Sequence, residues 1–155
     1  MRNAFHEELD AIQATLVTMG EMVAVAVVRS TEALLKADIK LAESVIADDE
    51  KLDTIQHDLE ARAINLMARQ QPVAQDLRIL VTSLRMSADL ERMGDLCHHV
   101  AKLARMRYPN VSVPAELIPT IEAMGATAVK IINKSTHVVK TQDLQAAIEL
   151  ETDDD

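Results

Sequence analysis

Apolar side chains recur every three or four residues along most of the chain, a spacing that places them on one face of an α-helix. The pattern predicts a first helix at about 5–36 and a second at about 39–69, with Asp38 as its N-cap. Pro72 then interrupts the chain and suits the first turn of a third helix that runs to about residue 107. Since the connections are only a few residues long, we predict an elongated antiparallel three-helix bundle.

The segment 108–119 contains three of the four prolines and is predicted to be a linker. A fourth amphipathic helix follows it and extends to about residue 140. This helix matches the first one when the chain is shifted by 105 positions, which indicates an internal repeat. The identities in register are Met19 and Gly20 with Met124 and Gly125, Ser30 and Thr31 with Ser135 and Thr136, and the cap Asp38 with Asp143.

The repeat predicts a domain organisation with a complete first three-helix repeat at 1–108, a linker at 109–119 and a partial second repeat at 120–155. Two complete repeats would need about 210 residues, so we expect a fragment or a shortened reading frame. The apolar face of helix four must then pack on the first bundle, pair with another chain or fray. The predicted fold class is all-α, an antiparallel three-helix bundle followed by the start of a second, tandem one.

Composition supports this fold class, because the chain has one Phe, one Tyr, no Trp, three Gly and four Pro. Its net charge of −9 argues against nucleic acid as a partner and suits cations or basic protein surfaces. The single cysteine, Cys97, excludes an internal disulfide, favours a cytoplasmic location and is best interpreted as a small apolar side chain. The longest apolar run, 22–28, is too short for a bilayer, so we expect no membrane insertion.

Potential cation ligands are concentrated in the third helix. At about 100° per residue, the side chains of Glu91, Asp95, His99 and Lys102 fall within one quadrant of that helix. Two like charges four residues apart cost a few tenths of a kcal/mol unless a cation lies between them. The stripe therefore indicates a metal, a basic partner or simple solvation.

A second carboxylate pair, Asp49 and Asp53, lies on the edge of helix two. Asp53 precedes Pro72 by nineteen residues and Glu91 follows it by nineteen, so antiparallel helices would place the two pairs at a similar height. Their oxygens suit Mg²⁺, Mn²⁺, iron or zinc, and several bridging carboxylates permit a multinuclear cluster. The alternative is a solvated acidic face without metal. We interpret His98 as a surface residue or an ion-pair partner of Asp95.

Motifs of known enzymes are missing from the sequence. It contains no Gly-rich phosphate loop, no Gly-x-Ser-x-Gly, no Cys-x-x-Cys and no His-Glu-x-x-His. The paired Glu-x-x-His motifs of di-iron bundles are also missing, which disfavours redox chemistry. We therefore expect a protein that is not an enzyme.

Three segments resemble a known family. The connection Gln71-Pro-Val-Ala-Gln-Asp-Leu-Arg78, followed by Asp89-Leu-Glu-Arg-Met-Gly-Asp95 and His99-Val-Ala-Lys102, is similar to the first half of PhoU-type phosphate uptake regulators. The resemblance covers helices one to three, and the 105-residue repeat is similar to the two tandem bundles of that family. The last helix of the second bundle, with its own acidic motif, is absent from this sequence.

The resemblance implies a cytoplasmic adaptor that restrains the phosphate-starvation response and reaches the inner membrane only through its partners. Those partners would be the ATPase of the phosphate ABC transporter and a sensor histidine kinase, and a homodimer is expected. The family's Glu/Asp-x-x-x-Asp motif maps onto Glu91 and Asp95 and implies iron or zinc there, with Asp49 and Asp53 as co-ligands. Two alternatives remain, a carboxylate-bridged metal enzyme and a purely structural oligomerisation module.

Overall fold

The protein, described here from a computed structural model that covers residues 2–153, is built from five α-helices within that range. A short 3₁₀ turn at Ala115–Leu117 precedes the fourth helix. The helices are α1 at Arg2–Lys36, α2 at Ile39–Gln70, α3 at Ala74–Arg107, α4 at Ile118–Thr141 and α5 at Leu144–Asp153. The predicted all-α class is therefore confirmed.

The turn between α1 and α2 is repeated between α4 and α5, as the internal repeat predicts. The Asp38 carboxylate accepts a hydrogen bond from the backbone N–H of Leu41 at 3.0 Å. The Asp143 carboxylate accepts one from Ala146 at 3.1 Å. The residue before each cap has a positive φ, so the same local chemistry ends one helix and begins the next in both repeats.

The third helix begins two residues later than Pro72, the residue predicted to lie in its first turn. Gln71 closes α2 in a left-handed conformation, with φ of 45°, and its N–H donates to the Met67 carbonyl at 3.1 Å. The third helix begins at Ala74, so Pro72 lies in the connection and not in the first turn of the helix. The left-handed Gln71 reverses the chain before the proline, and the helix starts only after this reversal is complete.

The core forms around α1, which contacts α2, α3 and α4. The main cluster joins side chains from the first three helices with one residue of α4, Ile132, which is 3% exposed. Its fully buried members of α1 to α3 include Ile12, Met19, Val23, Leu59, Leu66 and Leu80. By length and composition alone, α1 could also cross a membrane, with a mean hydropathy of 1.8 in its best window. A helix that packs against three others, as α1 does, has the same apolar composition as a membrane-spanning helix.

Helices α1 and α4 run antiparallel and contact each other through reciprocal residues of the repeat. A Cβ on Gly20 would overlap the hydroxyl of Thr136, and a Cβ on Gly125 would lie 3.0 Å from the Thr31 hydroxyl. Gly20 and Gly125 are equivalent positions, as are Thr31 and Thr136. The two helices are therefore related by a pseudo-twofold axis, and the absence of a side chain on each glycine sets their close approach.

A candidate acidic site between two helices

Gly94 determines how closely α3 approaches α2 beside the carboxylates. A Cβ on Gly94 would overlap the Leu52 side chain and would lie 3.6 Å from Oδ1 of Asp49. Both Gly94 and Leu52 are buried, so the two backbones are close at this height. Asp49 on α2 and the residues that flank Gly94 on α3 are thus held next to each other by packing of apolar groups.

The two carboxylate pairs predicted from the sequence lie near each other. Burial is the main cause that raises the pKa of Glu91 above its usual value of 4.5. Repulsion from the carboxylates of Asp95, Asp53 and Asp49 follows, in that order. Four acidic side chains from two antiparallel helices therefore share one electrostatic environment.

The arrangement of these side chains is looser than a closed metal site. Among residues 2–153, no three His, Cys, Asp or Glu side chains are grouped so that they could hold one ion. The donor chemistry nevertheless suits a hard or borderline cation, since the nearby atoms are carboxylate oxygens and the Glu91 carboxyl is destabilised in its charged form. Asp49 is already engaged in a hydrogen bond.

Asp49 is bonded to His98 on the neighbouring helix. Nδ1–H of His98 donates to Oδ2 of Asp49, and the two side chains are only 20% and 11% exposed. Nε2 of His98 is buried and has no hydrogen-bond partner among the described residues. The pair links α2 to α3 and orients the Asp49 carboxylate toward α3. The sequence-based interpretation of His98 as a surface residue or as a partner of Asp95 is therefore wrong.

The other sequence-predicted ligands have different surroundings. Asp95 lies 3.9 Å from the guanidinium of Arg92 on its own helix. His99 is exposed, and its ring is 6.1 Å from that of His98. Among the described residues, no hydrogen bond or ion pair joins His99 to the four carboxylates. Of the five predicted site residues, the four acids act on one another electrostatically but are not grouped as ligands of one ion, and His99 is exposed on α3.

The neighbouring acid Asp48 has a separate role at the surface. It pairs with Arg29 of α1 at 3.4 Å and with Lys51 at 2.6 Å. Both ion pairs are exposed, so they contribute little to stability. Asp48 and Asp49 line the same cavity between α1 and α2, but only Asp49 is bonded to His98 of α3.

Cys97 fits its predicted structural role. Its side chain is 6% exposed, and burial raises the pKa of the thiol, although a hydrogen bond with Ser30 acts in the opposite direction. A thiol that stays protonated is a poor nucleophile and a poor metal ligand. Cys97 packs among apolar side chains of α1, α2 and α3, as a small apolar residue would.

The position of His98 on the helix is visible in the spacing of the sequence. His98 follows Glu91 by seven residues, and this spacing places it within about 20° of Glu91 around the helix, closer than His99. The heptad spacing could have identified His98 as the histidine that faces α2. Its partner could not be identified in this way, because the pairing depends on the rotation of both helices.

Comparisons with known proteins extend over the whole chain. The family model described as the PhoU domain matches residues 16–104. A Mycobacterium tuberculosis protein named phosphate-specific transport system accessory protein PhoU homolog 2 is 42% identical over 155 residues, which are 100% of this chain and 73% of that protein. PhoU homolog 1 of Mycobacterium leprae is 41% identical over the same length, or 70% of that protein. The crystal structure of PhoU from Pseudomonas aeruginosa is similar with a TM-score of 0.84 and 25% identity, covering 94% of this chain and 69% of that one.

Proposed function

Because this chain belongs to the PhoU family, we propose that it is an accessory, regulatory protein of a phosphate-specific transport system. The observation that carries this proposal is the match of all 155 residues, at 42% identity, to a protein with that name. The match includes the three segments that carry the family resemblance in the sequence, at 71–78, 89–95 and 99–102. Since such relatives are named accessory proteins, we propose no catalytic role.

The proposed partners are the ATPase of a phosphate ABC transporter and a sensor histidine kinase. In this proposal the protein acts in the cytoplasm, joins the two partners when phosphate is plentiful and restrains the phosphate-starvation response. The net charge of −9 supports binding to basic or polar protein surfaces at low cost in repulsion. The choice of these two partners comes from the family resemblance, and the acidic surface of α2 and α3 is compatible with it.

A bound cation at the acidic site is part of the proposed function. Glu91 and Asp95 would supply the first ligands, and Asp53 would join them only after the side chains move closer together than they are in this structure. Asp49 would join them only by changing its bond with His98. Iron, zinc, Mg²⁺ or Mn²⁺ would relieve the repulsion that raises the pKa of Glu91 and would connect α2 to α3. The bound ion would then strengthen a docking surface and would take no part in a reaction.

The regulatory proposal is tested by deleting the gene and measuring a phosphate-controlled reporter in high phosphate. We expect the reporter to become active without the protein and to be silenced again by the wild-type gene. Purified transporter ATPase and the kinase cytoplasmic domain should each bind the protein in a pull-down. An unchanged reporter in the deletion strain would rule out the regulatory role.

The metal proposal is tested by elemental analysis of protein purified without chelator or affinity metal. We expect wild-type protein to contain a metal that the double variant Glu91→Gln and Asp95→Asn lacks. The matched control is Asp89→Asn, because Asp89 is an exposed acid on the same helix and lies about 160° from Glu91 around the helix axis. Equal metal content in wild type and the double variant would remove the metal from the proposal while the regulatory role stands.

A further inference from the structure

The cavity between α1 and α2 has a volume of about 340 Å³ and reaches Gly94 of α3. Its apolar wall consists of five side chains from the first two helices, Met22, Val25, Ala26, Val45 and Leu52. All the residues that line it belong to α1, α2 and α3, so its walls do not depend on the second repeat. A cavity of this size is large enough to hold a small ligand or a single long side chain.

The charged side chains around this cavity are unevenly paired. Arg29 and Lys51 both line it, and both already contact Asp48, at 3.4 Å and 2.6 Å. Glu21 of α1 also lines the cavity and makes no ion pair or side-chain hydrogen bond within residues 2–153. The positive charges are therefore satisfied by the protein, whereas negative charge is left without a partner. This imbalance favours a ligand that carries a positive charge.

Asp49 contributes a carboxylate to the same cavity. Its side chain is only 11% exposed and lines the cavity together with Gly94. Oδ2 of Asp49 is bonded to His98, whereas Oδ1 accepts no hydrogen bond from the described part of the chain. Oδ1 lies 3.6 Å from the position that a Cβ on Gly94 would take, so the glycine leaves space beside it. A carboxylate oxygen at this depth is stabilised by a donor, and a ligand in the cavity can supply one.

We propose that the cavity binds a lysine or arginine side chain of a partner protein. The cationic head donates to Oδ1 of Asp49, and the apolar stem lies on Met22, Val25 and Leu52, as long basic side chains divide between charged and apolar surroundings. Asp49 keeps its bond with His98, because the two donors use different oxygens. The identity of the partner rests on the proposed function, whereas the class of ligand rests on the cavity alone.

An NMR titration of isotope-labelled protein with n-hexylamine tests the class of ligand without any partner. We expect saturable shifts of the Val25 and Leu52 amide signals with the amine and none with hexanoate, which has the same chain length and the opposite charge. The dissociation constant should rise at least about fivefold in Asp49→Asn, which removes the charge, and in Ala26→Leu, which fills the cavity. The control is Asp58→Asn, at an exposed acid of α2 outside the cavity. Equal responses to amine and hexanoate, or equal affinities of Asp49→Asn and Asp58→Asn, would overturn the proposal.

Binding of the purified transporter ATPase and of the kinase cytoplasmic domain tests whether a partner uses the cavity. We expect Ala26→Leu to weaken at least one of these complexes about tenfold or more, because it occupies the space of the incoming side chain. Ala61→Leu, at an exposed alanine of α2 outside the cavity, is the control and should bind as wild type does. Circular dichroism and thermal unfolding check that both variants are folded. If Ala26→Leu leaves every complex of the wild type unaffected, the cavity is not a docking site. If neither protein binds wild type, the proposed partners are wrong, and the hexylamine titration decides the cavity by itself.

Discussion

At the scale of single residues, the bond between Asp49 and His98 connects the acidic site to the packing of the bundle. Asp49 is only 11% exposed, and a carboxylate at that depth requires a hydrogen-bond donor. His98 supplies the donor from α3, next to the position where Gly94 lets Leu52 of α2 approach. The bond thus stabilises the contact between the helices and also limits how freely Asp49 can turn toward Glu91.

A double-mutant cycle measures this bond. We expect His98→Ala to lower the free energy of unfolding by about 1–3 kcal/mol, because it leaves the Asp49 carboxylate without a donor. In a background with Asp49→Asn, the same change should cost much less, and urea unfolding of the four proteins gives the coupling energy. His99→Ala is the control and should change stability by less than about 0.5 kcal/mol. Additive effects of the two substitutions would show that the bond contributes nothing.

The raised pKa of Glu91 predicts how stability depends on pH. A carboxyl group that holds its proton more tightly in the folded state loses stabilising free energy as the pH rises from its unfolded pKa, near 4.5, through the higher folded value. Glu91→Gln removes this loss. We therefore expect the variant to be more stable than wild type at pH 7 in the absence of metal, by a few tenths of a kcal/mol.

Thermal unfolding at pH 4 and pH 7 in the presence of chelator checks this prediction. The advantage of Glu91→Gln should shrink at pH 4, where most of the wild-type carboxyl is protonated in both states. Glu60→Gln, an exposed substitution elsewhere on α2, should show no such dependence. A Glu91→Gln protein that is less stable than wild type at pH 7 would mean that the charged carboxylate stabilises the fold without metal.

At the scale of helices, the contact between α1 and α4 depends on two glycines that are equivalent in the repeat. Each glycine lies against a threonine of the other helix, with the threonine hydroxyl among the atoms nearest to the glycine. The hydroxyl of Thr136 is bonded to the Ile132 carbonyl at 2.8 Å, which fixes its side chain beside Gly20. The space available at the two glycines differs, although their sequence contexts are equivalent.

Alanine substitutions of the two glycines should therefore have unequal effects. Gly20→Ala should lower the free energy of unfolding by about 1–3 kcal/mol, because its methyl group would overlap a side chain that cannot easily rotate. Gly125→Ala should be close to neutral, since its methyl group needs only a small shift of Thr31 and Ala favours the helix by about 1 kcal/mol. Adding Thr136→Ala should restore much of the stability lost in Gly20→Ala. Equal losses at the two sites would contradict the reported difference in packing.

At the scale of the whole molecule, α4 belongs to the same core as the first three helices. Ile132 is buried in the main cluster with residues of α1, α2 and α3. The contact between α1 and α4 extends along both helices, since it includes Gly20 at one end and Thr31 at the other. Helix α4 is therefore attached to the first three helices as part of one packed unit and not held by the linker alone.

This packing predicts one cooperative unfolding transition. Ile132→Ala should lower the free energy of unfolding by about 2–5 kcal/mol, and the whole transition should shift to lower urea concentration. Ile148→Ala on α5 is the control, because Ile148 is 62% exposed and its loss should cost little. Separate transitions for α4 and for the first three helices would show that the second repeat folds independently.

The sequence by itself determined the helices, the caps at Asp38 and Asp143 and the equivalence of the two repeats, because these depend on interactions between residues close in the chain. It also indicated that two carboxylate pairs lie at one height, since helix length follows from residue number. Only the tertiary structure decided that His98 and not His99 meets Asp49, and that Gly20 and Gly125 have different space around them. These features depend on the rotation and separation of packed helices. Contacts such as Gly94 with Leu52 and Gly20 with Thr136 set that geometry, and they join residues far apart in the sequence.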